Sequence, residues 1–240
     1  MVLTIHQPEY LPWLGFFDKV RQADVLVLLD TVPFRKNYYQ NRNRILGKGG
    51  TVTLTVPVLT KGLSGQRINE VIINNENGYP WREKTWRSIS QCYGRAPFWS
   101  EYSEALHVLF LQDWNQLSRL TTELIRILLR SLKIEVEVLL ASDIDAQGSR
   151  TELLLNICQA LGAETYLSGI SGKDYLERHL FAKAGVQLRF QEFYHPIYNQ
   201  IGSVDFEPFM SSIDLLFNCG RDSLKLLSSE TVERLDFVMN

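Results

Sequence analysis

The chain begins with a short apolar run over residues 2–5, breaks at His6-Gln7-Pro8-Glu9, and then sets Trp13 or Leu14, Phe17 and Val20 at helical spacing within residues 11–22. Residues 25–29 follow as an uninterrupted apolar stretch, the pattern of a strand covered on both faces. Strand, helix and strand within about 30 residues predict a right-handed βαβ unit. His6 and Asp30 then stand at the two strand ends, on the carboxyl edge where open α/β sheets bind ligands.

Polarity rises over residues 31–44, which read as a basic loop. Gly47-Lys48-Gly49-Gly50 reads as a turn, residues 51–56 alternate like a strand, 57–65 form a loop and 67–73 suggest another strand. Asn74-Asn75-Glu76-Asn77-Gly78 is a turn cluster. Residues 79–132 are helical in pattern, with Trp81, Thr85, Ile89 and Cys92 on one face, a break at Pro97, and further helices over 99–111 and 114–132. The alternation then resumes, with strands over 136–141, 165–167 and 186–190. Helices over 149–161 and 173–184 are closed by Gly162 and Gly185, and short helices over 210–218 and 221–228 end the pattern. The expected fold is α/β: a largely parallel, Rossmann-like sheet with helices on both faces, forming a single domain over residues 1–240. Residues 79–132 would be a mostly helical central lobe inserted in it, with a cleft between lobe and sheet.

A 240-residue chain with 45% hydrophobic residues has enough apolar surface for such a core. The net charge of −2 gives no reason to expect a nucleic acid or a membrane surface as partner. Cys92, Cys158 and Cys219 form no CxxC pair, so neither a disulfide framework nor a zinc ribbon is expected. The N-terminus lacks a basic segment followed by an apolar one, and no stretch reaches the roughly 18 apolar residues of a membrane span. These features predict a soluble, cytoplasmic protein acting on a small molecule.

Four groups of residues could carry chemistry. His6, with Gln7, Glu9 and Tyr10, could bind a phosphate or exchange protons, or could simply tie the turn together. Asp30 is placed to orient His6, as a carboxylate fixes the tautomer of a catalytic histidine. Ser168-Gly169-Ile170-Ser171-Gly172-Lys173 lies between a strand and a helix, where converging backbone N–H groups and a lysine suit an anion. It lacks the GxxxxGK[ST] spacing of a P-loop, and an ordinary tight turn would look the same. Arg35, Lys36, Arg42 and Arg44, interleaved with Asn37, Asn41 and Asn43, could grip a phosphate and sugar hydroxyls, or form a solvated loop. His195 follows the strand over 186–190 and could face the same substrate as His6. Spacing does not support a metal site built from His6, His195 and Asp30 or Asp214. Asp214 in an apolar helix start needs a partner, either a basic-loop arginine or a helix cap.

The chain resembles the WbqC-like family of bacterial proteins. The resemblance is carried by His6-Gln7-Pro8, Leu11-Pro12-Trp13-Leu14-Gly15, Asn41-Arg42-Asn43-Arg44-Ile45, Tyr166-Leu167-Ser168-Gly169, Lys173-Asp174-Tyr175-Leu176, His195-Pro196 and Ser212-Ile213-Asp214-Leu215-Leu216-Phe217-Asn218. It implies a place in surface-polysaccharide biosynthesis (O-antigen clusters) and transfer of a glycine-like aminoacyl or acyl group to an amino sugar carried on a nucleotide. The first turn also looks like that of HUP-type nucleotidyltransferases and pantothenate-synthetase-like ligases, whose HxGH turn meets ATP. Here it reads His6-Gln7-Pro8-Glu9, without the glycine or the second histidine. Three readings follow: an acyl or aminoacyl transferase with His6, Asp30 and His195 as catalytic residues; a ligase that would need ATP with magnesium; or a sugar-binding scaffold without catalysis.

Overall fold

In the computed structural model, residues 1–76, 80–203, 205–229 and 234–235 are described. Asn77, Gly78 and Tyr79, at the junction of the expected turn cluster and helical lobe, lie outside them.

The apolar runs become strands because each feeds two cores at once. β1 (Val2–His6) and β2 (Val25–Leu28) lie side by side and parallel, Leu3 opposite Val25. Leu3, Ile5, Val25 and Val27 point into one core and Leu26 and Leu28 into the other. That two-sided burial is why residues 25–28 show no polar alternation. β3 (Arg42–Gly47) and β4 (Gly50–Thr55) form an antiparallel hairpin that closes on Gly47 and Gly50. β5 (Glu137–Leu140), β6 (Thr165–Ser168) and β7 (Gln187–Phe190) complete a five-stranded parallel sheet in the order β5-β2-β1-β6-β7. Counted as successive parallel strands, this is 3-2-1-4-5, the Rossmann-like order, with its topological switch point between β1 and β6. β8 (His195–Pro196) pairs antiparallel with β9 (Arg234–Leu235).

One face of the sheet is covered by α1 (Leu14–Val20), α2 (Trp81–Tyr93), α3 (Trp99–Leu111), α4 (Leu117–Ser131), α7 (Ser212–Cys219) and α8 (Ser223–Ser228). α5 (Arg150–Ala160) and α6 (Arg178–Lys183) cover the other, through Leu154, Ile157, Cys158 and Phe181. α5 and α6 are followed by Gly162 and Gly185, both at positive φ, which glycine adopts without the Cβ penalty. No helix among the described residues is long and apolar enough to cross a membrane.

Several local expectations are corrected. The first helix does not start at Leu11: that residue has φ +47, Pro12 follows, and the helix begins at Leu14. Arg42 and Arg44 do not belong to the loop but to β3, whose alternate residues Ile45 and Asn43 are buried. The segment 67–73 is a 3₁₀ turn (Ile68–Glu70), with the Glu70 carboxylate accepting the Arg67 N–H at 2.7 Å. No α-helix starts at Lys173; a 3₁₀ turn (Ile170–Asp174) follows β6, and α6 comes later.

Candidate functional site

Thr4 pairs with Leu167, so the ends of β1 and β6 emerge together at the switch point. A cleft of about 570 Å³ opens there. His6, Gln7, Glu9 and Lys19 line one side; Ser168, Gly169, Ser171 and Tyr175 another; Tyr38, Tyr39, Gln40 and Arg44 close it over. A second cavity of about 310 Å³ adjoins it and shares His6, Trp13, Lys19, Gly169 and Ser171. Phe16, Phe193, Tyr194 and Gln191 form its walls, with Lys173 at its rim.

The turn after β1 is held open by backbone ties. Asn43 Nδ2 donates to the Leu11 carbonyl (2.6 Å) and to the Tyr10 carbonyl (3.3 Å), fixing the left-handed Leu11. The Tyr10 N–H donates to the Tyr39 carbonyl, so the loop that roofs the cleft is stitched to its floor. Asn41 Nδ2 donates to the Val56 carbonyl and its Oδ1 accepts the Asn37 N–H. Gln40 Nε2 donates to Gln7 Oε1 at 2.6 Å.

His6 is the chemical centre. Its Nδ1 lies 3.0 Å from the Gln7 carbonyl, which can only accept, so Nδ1 carries the proton. Nε2 is left with its lone pair and no hydrogen-bond partner among the described residues. Burial, and then the charge of Lys19, push the imidazole well below the ordinary histidine value, so the base is neutral at physiological pH. Glu9 Oε1 sits 3.8 Å from His6 Nδ1, while its buried Oε2 has no partner. Burial raises this carboxyl to about 8 against the opposing pull of Lys19. Lys19 is almost fully enclosed, and its ammonium donates to the Ile5 carbonyl at 3.0 Å. Burial lowers it to about 7, with Glu9 pulling the other way. Paired titratable groups displaced in opposite directions are the usual mark of an acid–base site.

The other expected residues divide. Gln7, Arg44, Ser168, Gly169 and Ser171 line the main cleft, and Lys173 lines the adjoining cavity. Arg44 has no carboxylate in ion-pair contact among the described residues. Gly172 supports Ser168, because a Cβ there would come within 2.1 Å of the serine Oγ. Asp30 does not meet His6: its carboxylate accepts the Ser142 N–H (2.9 Å) and hydroxyl (2.8 Å), capping the start of the segment after β5. His195 does not join His6 either. Its Nδ1 donates to the Pro196 carbonyl and its Nε2 accepts the Phe209 N–H at 3.2 Å, so both nitrogens are spent. Burial lowers it to about 4. Tyr10, Asn41 and Asn43 are buried supports. Lys36 reaches Thr60, and Arg42 reaches Thr55 and Asn37, away from the cleft. Asp214 meets neither a basic-loop arginine nor a cap: Tyr93, Tyr198 and Gln200 each donate to it at 2.8 Å. No cluster of three metal-ligating side chains occurs among the described residues.

Sequence reasoning missed Lys19. The signal was available: residues 14–20 are apolar on every side of the helix, so a charge among them had to be buried too.

The model of the WbqC-like protein family matches residues 7–226, beginning immediately after His6. The chain belongs to the WbqC-like family. Over 223 residues it is 30% identical to uncharacterized protein Rv1507c of Mycobacterium tuberculosis, covering 92% of this chain and 95% of that one. No solved structure matches the chain.

Proposed function

We propose that this WbqC-like protein is a cytoplasmic enzyme that transfers an acyl or aminoacyl group to the amine of a small sugar-linked acceptor, within surface-polysaccharide synthesis. The observation that carries the reading is His6, a neutral imidazole whose Nδ1 proton is pinned by a backbone carbonyl and whose Nε2 is free at the switch-point cleft. In the reaction, the acceptor amine attacks the acyl carbon and His6 Nε2 takes the amine proton as the C–N bond forms. The carbonyl electrons move onto oxygen, then return as the bond to the leaving group breaks. Glu9, held protonated by burial, donates to the oxyanion or to the departing group. Tyr38, Tyr39 and Tyr175 offer flat faces and hydroxyls for a sugar, and Arg44 a fork for its phosphate or carboxylate.

A second reading, ATP-dependent activation of the acyl group, is favoured by one observation: the Gly169–Lys173 turn follows β6 at the switch point, where a nucleotide phosphate would lie. A thermal-shift panel of nucleotide-linked amino sugars, ATP with magnesium, glycine and acyl-CoA separates the readings, because ligands of the folded state raise Tm. Mass spectrometry of the same mixtures detects the amide product. A nucleotide-sugar shift with acylated product supports transfer, and pyrophosphate release with magnesium supports the ligase. No shift and no product removes support from both.

A further inference from the structure

The acyl-transfer account uses His6 and Glu9 and leaves Lys19 without a chemical task. A lysine is rarely enclosed without an ion partner. Lys19 has 2% of its surface exposed, and among the described residues its only hydrogen bond is to the Ile5 carbonyl. It lines both cavities, in the wall between them. Asp18, the adjacent carboxylate, is taken by Arg21, Gln22 and Gln191 and does not neutralise it. The nearby unsatisfied group is Glu9, whose Oε2 is buried and unpartnered. A desolvated amine beside a desolvated carboxylic acid is the arrangement that forms and hydrolyses imines.

The geometry points to Lys19 as an amine nucleophile that holds an aldehyde or ketone ligand in the cleft as a reversible imine. The Nζ lone pair attacks the carbonyl carbon, a C–N bond forms, and the oxygen receives a proton while the nitrogen gives one up. The carbinolamine hydroxyl then takes the Glu9 proton and leaves as water. The nitrogen lone pair closes the C=N bond, leaving a protonated imine on Lys19 beside the Glu9 carboxylate. Atoms and charge balance without an oxidant or reductant. The burial that lowers Lys19 keeps a large share of it unprotonated near neutrality, as the attack requires. Arg44 in the larger cavity and Lys173 in the smaller would favour a carbonyl compound that also bears a phosphate or carboxylate.

The inference does not depend on acyl transfer, and its test needs no turnover. The full chain is incubated at pH 7 with limiting pyridoxal 5′-phosphate or, separately, with glyoxylate. Borohydride then reduces any imine to a stable secondary amine, and the modified peptides are mapped by mass spectrometry. Lys19 should carry about 10-fold more adduct than any other lysine, since ordinary lysines are almost wholly protonated at that pH. Lys19→Met should lose that adduct while surface labelling persists. The wild-type map alone decides the matter if the variant does not fold. Adduct spread over exposed lysines such as Lys36 and Lys173, with Lys19 no higher for either probe, would overturn the inference and leave the His6 chemistry standing.

Discussion

Two buried carboxyls and two histidines in this molecule are treated in opposite ways. Asp214 is fully buried and accepts hydrogen bonds from Tyr93, Tyr198 and Gln200; Tyr93 in turn accepts the Leu46 N–H. These bonds lower the carboxyl against the burial that raises it. His195, in the same region, has both ring nitrogens occupied. Glu9 and His6 are as carefully positioned but incompletely satisfied: one carboxyl oxygen and one ring nitrogen have no partner. Unsatisfied buried groups cost stability, and at the cleft the unpartnered Glu9 Oε2 and His6 Nε2 leave polar capacity that a ligand would satisfy. The lesson is that burial and an altered pKa do not themselves mark a site, since His195 and Asp214 have both. Spare hydrogen-bonding capacity facing a cavity is what separates the two regions.

The comparison breaks first, and most severely, at the satisfied end. Asp214→Ala strands two tyrosine hydroxyls and an amide, and should lower unfolding free energy by about 3–5 kcal/mol in urea titrations. At the other end, His6→Gln should leave that stability nearly unchanged and cut transfer by roughly 100-fold or more, read as kcat/KM. The glycines of the turn after β6 give a smaller contrast. Gly172→Ala drives a methyl into Ser168 and should cost about 1–3 kcal/mol, whereas Gly169→Ala meets nothing within 4 Å and should be neutral by the same melt.

The two regions should also differ in pH dependence. Glu9 is raised from 4.5 to about 8, so the folded state holds a proton the unfolded chain has released, and stability falls as pH rises through that window. Lys19 is lowered from 10.5 to about 7, so its contribution is intact above 10.5 and is lost as pH falls toward 7. Together they put a minimum of stability near neutrality, with slopes of at most about 1.4 kcal/mol per pH unit. Glu9→Gln combined with Lys19→Met should flatten that minimum in melts from pH 5 to 10; an unchanged profile would show that the pair is not desolvated.

Much of the scaffold was legible before the fold was known. The stretches at residues 2–5, 25–29, 136–141, 165–167 and 186–190 each fall on a strand of the parallel sheet, most plainly β2, which is buried at every position and therefore has no polar residue. His6, Gln7 and Ser168 were legible as cleft residues for a related reason: strand ends at the carboxyl edge are set by topology. What stayed hidden depended on contacts between distant segments. Arg42, Asn43 and Arg44 read as loop because three polar residues in a row mask a strand whose partner lies beyond a turn. Asp30 and His195 sit after strands, as a catalytic residue would, yet Ser142 and Phe209 take up their polar atoms. Lys19 drew no reading at all, although the apolar residues around it in α1 pointed to burial, because the cleft it lines is built from segments distant in sequence.

The most direct test of the cleft is ¹H–¹⁵N spectroscopy of the histidine rings while the nucleotide-linked amino sugars are titrated in. At pH 7, His6 should appear as the neutral Nδ1–H tautomer, and its Nε2 resonance should move in proportion to ligand bound, while His195 stays fixed. A ligand that raises the melting temperature yet leaves the His6 ring unmoved would contradict the account.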